Sequence, residues 1–168
     1  NQGAPSARNQ GAKQARGEYL LFCDADVELY PSFLELTKKE LEENENISFV
    51  YSNFIWGRKK FRLMEFDKEK LQKMPYIHTV SLMRTKDFPA AGWDENIKKL
   101  QDWDLWLTMT EEGKKGKWID KVLFQVTPGG TMSNWLPAIV YKLLPFLSKV
   151  KKYNQAIKTV KRKHHINH

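Results

Sequence analysis

At 168 residues, with 41% hydrophobic and 12% aromatic content including six tryptophans, the chain suits one packed domain and excludes disorder. Its single cysteine, Cys23, excludes an internal disulfide, and no run reaches the roughly 20 apolar residues of a membrane-spanning helix. The net charge of +8 is local: all 20 acidic and 20 of the 28 basic residues precede Lys142, and the other eight basic residues, Lys142 included, lie from there to the end without one acid. A neutral body with a basic end points to an anionic partner for that end alone.

In chain order, Ala4, Ala7, Ala12 and Ala15 recur at helical spacing behind Pro5, predicting a thin helix with a small-residue packing face, closed by Gly17. Tyr19 to Cys23 reads as a buried strand that takes Cys23 into the core as a small apolar residue. After Pro31-Ser32 a second helix presents Phe33, Leu34, Leu36 and Leu41 at core spacing. Ile47 to Tyr51 is a strand, Gly57 to Arg62 a basic hairpin tip, and Ile77 to Met83 another strand. Ala90 to Asn96 is a turn-rich loop, a helix runs from Asp102 to Gly113, and Trp118 to Val126 is the last strand. From Leu136 to Val150 an apolar stripe continues at helical spacing, broken at Pro145. Strands alternating with helices indicate an α/β domain over 1–133, with an amphipathic basic helical tail over 134–168.

The densest chemical signal is Asp24-Ala25-Asp26, where the first strand ends. Residues two apart on a strand face one side, so both carboxylates would point together and require a cation, donor groups or solvent. A divalent metal carrying a phosphate-bearing substrate satisfies that need; an acidic turn capping the next helix is the plainer alternative. Asp102, at a predicted helix start, reads either as an N-cap or as a rigidly held base. Asp104 reads as a solvent-facing or helix-start residue. His78 reads as structural, and His164, His165 and His168 form no metal motif with the body.

Asn1-Gln2-Gly3, Ala7-Arg8-Asn9-Gln10-Gly11, Gly17-Glu18-Tyr19, the Asp24-Ala25-Asp26 doublet, Gly92-Trp93-Asp94-Glu95 and Gln101-Asp102-Trp103-Asp104-Leu105-Trp106-Leu107 follow one another in this order. The series resembles the family 2 glycosyltransferases of the GT-A fold, across roughly residues 1 to 133. The resemblance implies a Rossmann-like mixed sheet flanked by helices, and sugar transfer from a nucleotide-diphosphate-sugar donor to a glycan or lipid-linked acceptor. It implies an inverting, metal-dependent reaction. Asp24 and Asp26 would hold Mn²⁺ or Mg²⁺ against the donor diphosphate, Arg8 would lie beside the nucleotide, and Asp102 would be the catalytic base. Trp93 and Trp103 would lie on the acceptor side, with core packing as the alternative for both.

The chain departs from the family pattern in two places. Gln101 stands where the family has glutamate, and Gln125 and Thr127 stand where many relatives have arginine and histidine. The family's opening strand–loop–strand unit is also missing, so the chain is expected to begin about 60 to 80 residues inside such a domain and to bind donor poorly by itself. Two other readings carry less. An Asp-x-Asp phosphohydrolase of the haloacid dehalogenase type lacks its partner motifs. A binding module driven by residues 142–163 would favour an anionic membrane over nucleic acid, since no recognition motif accompanies the basic residues. The expected location is cytoplasmic, peripheral at most on the inner face of a membrane.

Overall fold

The computed structural model describes residues 3–128 and 147–166. Helix α1 (Ala4–Gln14) starts with proline in its first turn, where a missing N–H costs nothing. Its buried residues are Pro5 and Ser6, and of the expected alanine face only Ala12 packs against the core, with Ala4, Ala7 and Ala15 exposed. Strand β1 (Tyr19–Leu21) stops two residues before Cys23, which is exposed rather than part of the core. The chain turns there because Val27 N–H donates to the Asp24 carbonyl at 3.1 Å, leading into β2 (Val27–Leu29), a short strand without a sequence signature.

Helix α2 (Phe33–Glu43) buries Phe33, Thr37 and Leu41 at four-residue spacing. Leu34 is 54% exposed, against expectation. Thr37 enters the core instead because its hydroxyl donates to the Phe33 carbonyl at 2.7 Å, so no polar atom is left unpaired. Strand β3 (Phe49–Trp56) and β4 (Lys59–Phe61) form a hairpin turning at Gly57-Arg58, with Gly57 at a φ of 58°, so most of the basic stretch expected as the tip is instead the second strand. Helix α3 (Lys68–Lys73), capped by the Asp67 carboxylate accepting from Lys70 N–H, was not foreseen. Strand β5 (Leu82–Arg84) is shorter than the apolar run around it. Helix α4 (Gln101–Glu111), β6 (Gly116–Val126) and α5 (Ser148–Lys163) complete the described elements.

The sheet runs β1-β5-β3-β6-β2, with β4 attached to β3. Only β3–β6 among these pairs is parallel. Strand β3 is buried on both sides, and its alternating side chains divide between two cores. Phe49 and Tyr51 join one with Trp103, Trp106, Met109 and Val160; Val50 and Phe54 join the other with Phe33, Leu41 and Phe124. Trp106 stacks on Phe49 with ring centroids 4.6 Å apart. Gly116 permits this packing, since a Cβ there would lie 2.3 Å from the Phe49 ring.

Helix α5 buries Val150 and Val160, and Ile157 packs on the same core. Its apolar face is therefore occupied by the domain. The apolar stripe from Leu136 to Leu144, with Pro145 and Lys142, lies outside the described residues. Among the described residues no helix is long and apolar enough to cross a membrane.

Candidate active site

Arg8 is the hub of the site. Its Nη2 donates to Asp24 Oδ1 at 2.7 Å and its Nη1 to Gln101 Oε1 at 3.2 Å, while the guanidinium lies 4.7 Å from the Trp93 ring centroid. One planar cation thus ties α1, the acidic turn after β1 and the start of α4, using the fork and face that distinguish arginine from lysine. With 14% of the Arg8 side chain exposed against 42% for Asp24, the pair opens to solvent on its acidic side.

The next residue, Asn9, explains why the second and fifth motifs occur together. Its Nδ2 donates to the Trp93 carbonyl at 2.9 Å, and its Oδ1 accepts the Trp93 N–H at 2.8 Å. The two-point clasp needs Gly92: its φ is 65°, and a Cβ there would meet Asn9 Oδ1 at 2.5 Å. Gly92→Ala is expected to destabilise the fold by about 1–2 kcal/mol. An unchanged urea midpoint would show that the clasp does not constrain this loop.

Asp24 and Asp26 lie on the turn between β1 and β2, not on a strand, so the alternation argument for their shared direction does not apply. Both carboxylates, after partial desolvation, push the Cys23 thiol pKa up. Thr127 donates its backbone N–H to the Asp26 carbonyl at 2.8 Å, so the chain after β6 abuts the acidic turn. Gln125 is directed elsewhere, donating to Glu28 Oε2 across the β2–β6 pair at 2.5 Å.

Asp102 is the second residue of α4, and its Oδ1 accepts the Trp103 N–H at 2.9 Å. Leu100 precedes the helix with φ 60° and ψ 36°, a left-handed conformation costly for a bulky side chain, and no side chain caps the helix start. The N-cap position therefore falls to Leu100, not to Asp102. Burial raises the Asp102 pKa; backbone N–H groups and Arg8 oppose the rise, and Asp24 adds to it. That mutual influence places Asp102 within the field of the Arg8–Asp24 pair. His78 lies in the same field, but burial lowers its pKa to about 4, and Nδ1 accepts the Val80 N–H at 3.1 Å. It is neutral and structural, as expected, although it lies outside any strand.

The tryptophans are core residues. Trp93 is 2% exposed and meets Phe22 edge-on, while Trp103 is fully buried with its indole N–H donating to the Leu71 carbonyl at 2.6 Å. Neither offers a face from solvent to an acceptor sugar; core packing accounts for both. Asp104 corrects the sequence reading most sharply. It is 3% exposed and paired with Lys163 and His164, whose remoteness in sequence hid the cluster.

A mixed sheet with an acidic turn at a strand end, an arginine across it and a helix-borne aspartate beyond defines a GT-A glycosyltransferase fold. Staphylococcus aureus TarS, solved in complex with UDP, superposes with a TM-score of 0.63 over 97% of this chain and 52% of that one, at 16% identity, a likeness of fold. The chain belongs to glycosyl transferase family 2, whose model matches residues 1–92. An uncharacterized glycosyltransferase of Haemophilus influenzae is 26% identical over 124 residues, covering 67% of this chain and 42% of the relative. A Pasteurella multocida chondroitin synthase is 28% identical over 122 residues, covering 68% and 13%. The chain thus spans less than half the length of these curated relatives.

Proposed function

We propose that this chain carries the diphosphate-holding turn and the catalytic base of an inverting, metal-dependent sugar transferase. The observation that carries the reading is Arg8, which joins the Asp24 carboxylate to the helix start bearing Asp102. Asp102 takes the proton from the acceptor hydroxyl as its oxygen attacks the anomeric carbon. The bond from that carbon to the diphosphate breaks on the opposite face, the leaving nucleoside diphosphate keeps the electron pair, and the configuration inverts. A carboxylate whose pKa is raised by burial is well matched to this proton transfer near neutral pH.

Asp24 and Asp26 would hold the metal. Among the described residues no group of three His, Cys, Asp or Glu is placed to bind a metal. Two hard carboxylates fit Mg²⁺ or Mn²⁺, which take one or two carboxylates and fill their shell with phosphate oxygens and water. When bound, such an ion neutralises charge on the departing diphosphate. Arg8 supplies a second cation beside it, and Gln101 supports this role because it accepts from the guanidinium without neutralising it.

UDP, the ligand solved with TarS, is a suitable probe. Calorimetry on the intact polypeptide is expected to show Mn²⁺-dependent UDP binding, weakened at least tenfold in Asp24→Asn and Asp26→Asn, with the far-UV spectrum unchanged. Equal UDP affinity with and without Mn²⁺, in wild type and variants, would refute the metal site. Acceptors are proposed to be glycans or lipid-linked sugars. The exposed basic side of α5, including Lys151, Lys152 and Lys158, is proposed to touch an anionic membrane surface from the cytoplasm by charge alone, since its apolar side is already packed.

A further inference from the structure

Helix α5 ends on Lys163, with His164 just beyond, and both side chains turn back into the body. Lys163 Nζ donates to Asp94 Oδ2 and to Asp104 Oδ2, each at 2.9 Å. His164 has a carboxylate on both ring nitrogens: Asp104 Oδ1 lies 2.9 Å from Nε2, and Glu111 Oε1 lies 2.8 Å from Nδ1. A neutral imidazole has only one N–H, so this arrangement requires the imidazolium. Burial opposes that charge, yet bonds and fields from Asp104 and Glu111 outweigh it and hold the pKa above its ordinary value of 6.5.

Among the described residues, the charged groups around this cation come from α4 and the loop before it. Asp104 and Glu111 belong to α4, and Asp94 belongs to the Gly92–Asn96 loop and is reached through Lys163. Glu95, on that same loop, instead accepts from Asn9. Together Lys163 and His164 line a cavity of about 550 Å³ against this loop and α4. The cluster grips α4 at both ends, Asp104 in its first turn and Glu111 as its last residue. The helix start has no side-chain cap and follows a left-handed leucine, a strained entry that persists only if the surroundings hold it. Asp104 follows Asp102 by two residues, about 200° around the helix, so it is gripped from behind while Asp102 faces the Arg8 side.

We infer that Lys163 and His164 form a protonation-dependent clamp that positions the first turn of α4, and with it Asp102, for catalysis. The inference rests on the reading of Asp102 as base. These are positioning residues, acting through Asp104 and the 92–96 loop. Because the folded pKa of His164 is raised, the clamp is complete below pH 6.5 and is lost as pH rises through that higher folded value. Asp102 must be ionised to act, so turnover rises on the acid side through its own raised pKa and falls on the alkaline side as His164 loses its proton.

The test is the pH profile of kcat, with UDP affinity measured alongside, in the intact polypeptide. His164→Gln is expected to lower kcat by about three- to tenfold, leave UDP affinity within about twofold and abolish the alkaline limb. An unchanged kcat and alkaline limb would overturn the clamp, as would a parallel loss of kcat and UDP affinity, which marks general unfolding. If His164→Gln does not fold, Glu111→Gln removes only the exposed partner and should move the alkaline limb to lower pH; an unmoved limb overturns the proposal. Asp102→Asn separates the two readings. If that variant is active the base assignment fails, whereas if it is inactive and the His164 profile is unchanged the clamp alone fails.

Discussion

Asp102→Asn is expected to lose turnover by about 10²–10⁴-fold while keeping UDP affinity within about twofold of wild type. Asparagine has nearly the same shape, and its side-chain oxygen can still accept the Trp103 N–H, so the first turn of α4 should stay in place. Lost is the ability to take a proton. A second signature accompanies the first. Burial raises the Asp102 pKa, so the folded state binds this proton more tightly than the unfolded chain does. The ionised carboxylate therefore works against folding at neutral pH, and that penalty fades as pH falls through the raised value. Replacing it with a neutral amide should raise the melting temperature at pH 7 and leave it nearly unchanged in acid. Gain of stability with loss of turnover is what a strained functional group produces and an ordinary helix-start residue does not. A variant that is both less stable and fully active would show Asp102 to be structural.

The sequence carried the motif series and the order of the major elements because each motif is local. Pro5, the Asp24–Asp26 doublet, the apolar run of β3 and the Trp-rich start of α4 announce themselves within ten residues. Contacts across long separations were not legible. The Arg8–Gln101 bond spans 93 residues and the Asp104–His164 bond 60, and no periodicity encodes either. Asp104 was misread for this reason: an aspartate in a first helical turn is ordinarily solvated, and only partners from the chain end bury it. Cys23 and Leu34 failed in the opposite direction. Both are apolar residues in apolar runs, but a turn at Asp24 exposes one and the substitution of Thr37 into the core stripe exposes the other. Trp93 and Trp103 show the limit of residue-type reasoning, since the large faces that could cover a sugar instead fill the core.

Arg84→Ala is expected to cost about 3 kcal/mol or more. Arg84 lies at the end of β5 and is 8% exposed, yet it has no carboxylate partner among the described bonds. Its donors go to backbone carbonyls: Nε to Ile47 at 2.9 Å, and Nη2 to Leu41 and, at 3.4 Å, to Asn44. Leu41 and Asn44 sit at the C-terminal end of α2, whose last turn carries no basic residue of its own. A helix end with unpaired carbonyls attracts positive charge, and here that charge arrives from a strand. The alanine variant would leave those acceptors buried and unpaired and would uncouple α2 from the sheet. Arg84→Lys keeps the charge but replaces a planar fork with a single ammonium, so its urea midpoint should fall between the alanine variant and wild type. If lysine and alanine are equally destabilised, the geometry of the fork carries the effect; if lysine matches wild type, the charge does. Only if both match wild type is the carbonyl cluster solvated in solution, and α2 then holds to the sheet by Phe33 and Leu41 alone.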